Sequence, residues 1–165
     1  MKLLFCDIQS VGFYGAWHPC SEDTDAAFIL MMGDTRDGML VKAGVKLLHG
    51  FGISVLSMAP GDENSKEHNI HSFPVERFGR AIERLHDRGI RRIGITEGSA
   101  TGMMALIGAS WYSGISLAIA VTPCDFFMQG YTRENRVERP AEEESCVTCN
   151  GRNLHYLPYG YKPPE

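Results

Sequence analysis

Three stretches of this 165-residue chain predict an α/β fold, a mostly parallel sheet with helices on both faces. Residues 26–32 (AAFILMM) are apolar throughout, as a strand covered on both faces must be. Residues 53–58 (ISVLSM) repeat that character after an intervening segment at helical spacing. Residues 91–112 read as a short apolar strand, a turn of small residues and a helix running on from the turn. Strands that alternate with helices in this way form a parallel sheet through crossover connections.

Taken in order, residues 2–8 and 11–17 read as opening strands, with Gly12 and Gly15 permitting bends. After the polar HPCSEDTD comes the central strand at 26–32, then GDTRDG at 33–38, then a helix to about His49. Leu40, Ala43, Gly44, Leu47 and Leu48 keep helical spacing there, and Thr35 or Asp37 is the expected cap. Gly50 and Gly52 end the helix, and 53–58 is the next buried strand. Residues 59–72 are a polar excursion without periodicity, a surface loop in which His68 and His71 are solvated. Pro74 opens a helix to about Arg88 with Phe78, Ala81, Ile82 and Leu85 on one face. Residues 116–123 (SLAIAVTP) read as one more buried strand. The remaining 124–165, aromatic, then charged, then rich in Pro, Tyr and Gly, is expected to be a lid or irregular tail, with 142–144 a solvated acidic face. The whole is read as one domain over 1–165.

Composition narrows the function. A formal charge of −4 with 44% apolar residues points away from disorder and from a nucleic-acid surface. MKLLFCDI is too short and too soon acidic for a signal peptide, and no apolar run reaches the roughly 18 residues that span a bilayer. A cytoplasmic protein without nucleic-acid or membrane partners is expected. Five scattered cysteines argue against a disulfide framework. Cys146 and Cys149 form a lone C-x-x-C pair, which suits a metal or redox site weakly, so no metal and no cofactor are assigned.

The chemistry concentrates at Ser99. A strand that turns sharply into a helix holds a side chain exposed and strained above the sheet, where acyl-transferring hydrolases keep a nucleophile. Gly98, Ala100 and Gly102 are small, as close strand and helix backbones require. The N–H of Ala100, at the start of the helix, is the natural oxyanion donor, and the N–H of Gly33 or Asp34, in the loop after the central strand, is the second. Glu97 and Thr101 depart from the pattern, standing where small residues are usual. GITEG at 94–98 also fits a G-x-nucleophile-x-G spacing and would select Thr96, but it cuts the strand to about three residues, below the usual ~5–6. The bland reading is a turn that only packs or that binds a phosphate. Asp125 and His155 complete a Ser, Asp, His order with Ser99 in formal terms. His18, His49 and His86 read as surface residues, and Arg88, Arg91 and Arg92 as solvated.

These segments together resemble the α/β-hydrolase domain of the acyl-CoA thioester hydrolase and bile-acid-CoA:amino-acid N-acyltransferase family, in its bacterial form. FILMMGDTRDGMLVKAGVKLLHGFGISVLSMA is similar to its third strand, oxyanion loop, helix and fourth strand; FPVERFGRAIERL to the helix before the elbow; SATGMMALIGAS to the nucleophile helix; TPCDFFMQG and NGRNLHYLPYGY to later segments. The resemblance selects Ser99 over Thr96 and implies cleavage of a small-molecule acyl thioester or ester through an acyl-serine. It also implies a catalytic acid and histidine beyond the point where this sequence stops, so the domain reads as incomplete at its C-terminal side, its activity weak or absent. The resemblance places no catalytic histidine at His155. An incomplete sheet would leave residues 116–123 as an exposed edge, through which the chain is expected to form a homo-oligomer. A non-catalytic remnant serving as a binding module is the alternative.

Overall fold

The computed structural model describes residues 3–21, 23–33, 35–61, 70–134, 137–158 and 160. The apolar runs do pair into a sheet. Its strands are β1 (Leu4–Cys6), β2 (Gly15–His18), β3 (Ala26–Met31), β4 (Ser54–Met58), β6 (Arg92–Gly98) and β7 (Ile115–Val121), in the order β1-β2-β4-β3-β6-β7. β2 is antiparallel to β1 and β4, and the rest of the sheet is parallel. The mixed α/β class is therefore as the sequence predicts.

The chain steps from β3 outward to β4, then crosses back to place β6 on the other side of β3. Strand order thus reverses between β3 and β6. A crevice opens at the carboxyl ends of strands at such a reversal, and ligands of open α/β sheets bind there.

Helices pack on both faces. α2 (Met39–His49) covers one face, where Val41 is buried with Leu30 and Val55. The buried side is Val41, Gly44, Val45 and Leu48, not the Leu40 and Leu47 of the expected stripe, which remain exposed. Gly44 sets this choice, because a Cβ there would meet Leu30 at 2.9 Å. α3 (Glu76–His86) and α4 (Gly102–Trp111) cover the other face around Phe78, Leu85, Ile93, Ile95 and Met104. α3 buries the four residues its periodicity selects.

Other expectations need correction. Residues 11–17 are not one strand: α1 (Ile8–Val11) closes where Asp7 accepts the N–H groups of Ser10 and Val11, and Gly12 ends it at φ 81°. Pro74 belongs to β5 (Phe73–Pro74), so α3 starts two residues later. The cap of α2 is Gly38, with no side-chain bond from Thr35 or Asp37. The tail is not irregular. β8 (Gln129–Glu134) and β9 (Val137–Ser145) form a hairpin, while β10 (Val147–Cys149) pairs with β5 and with β11 (Arg152–Asn153). Cys146 and Val147 are fully buried and fix this layer to the core.

β7 is an edge strand. Its Ala118 and Ala120 pack toward the core, but Leu117, Ile119 and Val121 are 52%, 44% and 54% exposed, so the strand is covered on one face only. Among the described residues no helix is long and apolar enough to cross a membrane.

Candidate active site

β6 delivers Ser99. The strand runs through Thr96, half-buried inside it, to Gly98, and a 3-10 turn at Ser99–Thr101 leads into α4. Ser99 is exposed and sits at φ 59°, the left-handed region that a side chain with a Cβ enters only under constraint. Such strain at a strand-to-helix turn is the geometry that presents a nucleophile above a sheet. Thr96 has neither the turn nor the exposure.

The tightness of the turn comes from its neighbours. A Cβ on Gly102 would stand 3.0 Å from the Val121 carbonyl oxygen and 3.1 Å from the Pro123 Cα, so α4 meets β7's end at backbone distance. Gly98 is less constrained, with only ordinary contact at 3.6 Å. Thr101, a departure in the sequence, has a structural use. Its buried hydroxyl is shared between the carbonyls of Gly98 at 2.9 Å and Met31 at 3.2 Å, fastening the turn to the end of β3. Thr101→Val keeps the shape and removes the donor. It is expected to lower stability by about 1 kcal/mol, read from the midpoint of urea unfolding.

The end of β3 completes the crevice. Met31 lies opposite Glu97 in the register, so Gly33 and Ser99 each lie two residues past a paired position on adjacent strands. Adjacent strands are ~4.8 Å apart, close enough for both to address one substrate atom. Gly33 holds φ 78° at the start of the loop; Asp34, the other proposed donor, lies outside the described residues. Ala100 is the second residue of the turn, where a helix offers its N–H no internal acceptor.

Arg36 anchors this loop. Its guanidinium lies 4.2 Å from the Phe5 ring centroid and 4.0 Å from that of Tyr14, and it donates to Asp7 at 2.7 Å and to the Cys6 carbonyl at 3.1 Å. Its own carbonyl accepts from the Ser57 hydroxyl. Arg36→Ala removes the stacking and the bridge together, an expected loss of about 2 kcal/mol, and faster amide hydrogen exchange in 35–38 checks it.

Glu97 is the anomaly of the site. It is 1% exposed, and neither carboxylate oxygen has a hydrogen-bond partner. Burial holds its carboxyl well above the usual 4.5. A neutral acid beneath the turn is what the low-dielectric interior dictates.

The remaining candidates lie elsewhere. Asp125 and His155 come together, but along α4 and not at Ser99. They line a groove of about 550 Å³ with one wall of Met103, Leu106, Ile107 and Trp111 and another of Phe126, Phe127 and Leu157. Ser110 also lines it, with its hydroxyl donating to the Ile107 carbonyl. Among the described residues no hydrogen bond joins the Ser99 hydroxyl to a histidine or a carboxylate.

Several side chains read as solvated are engaged. His71 Nδ1 lies 2.9 Å from Glu144, which also accepts from Ser72 at 3.2 Å. His18 is half-buried, with Nε2 2.9 Å from Ser57 and its pKa lowered by burial. Arg88 lies over the Trp17 ring, whereas Arg91 and Arg92 are exposed and pair with Asp25. His68 lies outside the described residues. The described cysteines are free thiols, and burial lifts that of Cys146 to about 11. A thiol so rarely ionised is a poor nucleophile and metal ligand. Among the described residues no group of three His, Cys, Asp or Glu side chains stands together for a metal.

No family model, no curated protein and no solved structure matches this chain.

Proposed function

We propose that the chain is an α/β-hydrolase domain of the acyl-CoA thioester hydrolase and acyltransferase type, which cleaves a thioester or ester through an acyl-serine at Ser99. The observation that carries the reading is the strained, exposed Ser99 at φ 59°, set where the strand order reverses. In the reaction the Ser99 Oγ bonds to the acyl carbon, the N–H groups of Ala100 and Gly33 receive the oxyanion, and the thiol or alcohol leaves. Water then attacks the acyl-serine and releases the acid. The hydroxyl proton passes to a general base, supplied by His155 or by another chain.

A second reading has an observation in its favour. Because no described histidine or carboxylate is bonded to Ser99, the site also suits a remnant that binds acyl compounds without turning them over. Intact-mass measurement after incubation with a fluorophosphonate separates the two. An adduct that Ser99→Ala abolishes supports the hydrolase, and its loss in His155→Ala assigns the base to this chain. No adduct on the native chain supports the remnant.

A further inference from the structure

The groove along α4 runs toward Ser99. Its helical wall, Met103, Leu106 or Ile107, and then Trp111, is one row of the helix at i, i+3 or i+4, and i+8. Ser99 stands four residues before Met103, so the same row continues up to the nucleophile. Pro123 packs against Gly102, which brings Cys124 and Asp125 to the groove beside the first turn of α4.

We infer that this groove receives the straight acyl chain of a neutral ester or thioester whose carbonyl lies at Ser99; the inference rests on the acyl-serine reading above. Met103 to Trp111 spans about 12 Å at 1.5 Å per residue. A helical partner segment of that length and ~10 Å diameter occupies roughly 900 Å³. The groove holds about 550 Å³, inside the range of small-molecule sites, so a slim chain fits where a helix does not. Its lining is aliphatic and aromatic, and no Lys or Arg is among the lining residues. With Asp125 as the lining carboxylate, a free fatty acid would meet like charge without a cation to offset it, whereas an uncharged ester would not. The phosphates of a coenzyme leaving group lie outside the groove for the same reason.

The test compares ethyl and decyl fluorophosphonates on the full chain, by rate of Ser99 adduct formation. Each buried methylene adds roughly fourfold in affinity, so decyl is expected to label at least about tenfold faster. Leu106→Glu, at a side chain 45% exposed, is expected to erase the preference, while Leu47→Glu, exposed on α2, keeps it. Equal rates on the native chain, or a preference that survives Leu106→Glu, would overturn the inference. Should neither reagent label Ser99, the acyl-serine reading falls and the groove is tested separately by titrating n-decanol against the fluorescence of Trp111, with Trp111→Phe as the blank. Saturable binding lost in Leu106→Glu upholds the groove as an acyl-chain site, and no binding refutes it. A sedimentation change from dimer to monomer in Leu106→Glu would assign the groove to a second copy of the chain and also refute it.

Discussion

Glu97→Gln stabilises the fold at neutral pH and removes most of the pH dependence that the native chain shows between acid and neutral conditions. The sign follows from which state holds the proton. In the unfolded chain the carboxyl ionises near its ordinary 4.5, whereas in the folded chain burial keeps it protonated to higher pH. Below 4.5 both states are protonated and this group contributes no dependence. Between that value and the raised folded value the unfolded state has released a proton that the folded state retains, so stability falls by about 1.4 kcal/mol per pH unit. Above the folded value the loss is complete.

Glutamine is neutral at every pH, so the variant and the native chain should agree near pH 4 and diverge above it. Glu97→Met goes further. It removes a buried polar group that lacks partners and is expected to be the more stable variant throughout. Urea unfolding midpoints at pH 4, 5.5 and 7 check both. Parallel pH curves for native and Glu97→Gln would show that the carboxyl is solvated or paired in the folded protein.

The sheet was legible in the sequence because its information is local. Residues 26–31 lie between two parallel strands and under helices on both faces, so nearly every side chain there is apolar, and the run announces itself. The turn at Ser99 was legible for a similar reason, since small residues crowd around one serine. What was not legible depends on partners distant in the chain. The value of Thr101 comes from the carbonyl of Met31, and that of Arg36 from Phe5 and Tyr14. His71 is defined by Glu144, which an acidic run gives no reason to single out. β9 (VERPAEEES) carries charge where strands usually alternate, and it pairs through its backbone with β8, so periodicity cannot find it. Helix α2 misled through an apolar stripe that faces outward, because its burial is decided by where Gly44 lets the helix touch Leu30.

Ser99→Gly is expected to make the protein more stable and its site inert, and the two effects have one origin. At φ 59° any residue with a Cβ is strained by about 1–2 kcal/mol, which glycine does not incur. Thermal or urea unfolding should therefore rank Ser99→Gly above native by about 1 kcal/mol, after the greater entropy of an unfolded glycine is set against the relief. Ser99→Ala retains the Cβ and the strain, so it should match the native chain in stability while losing the hydroxyl. Ser99→Val adds branching to the strained position and should fall below both. Loss of fluorophosphonate labelling in Ser99→Gly and Ser99→Ala alike, with stability raised only in the first, separates the reacting atom from the backbone that presents it. An unchanged midpoint in Ser99→Gly would mean that the turn relaxes in solution, and the argument from strain to nucleophile would lose its support.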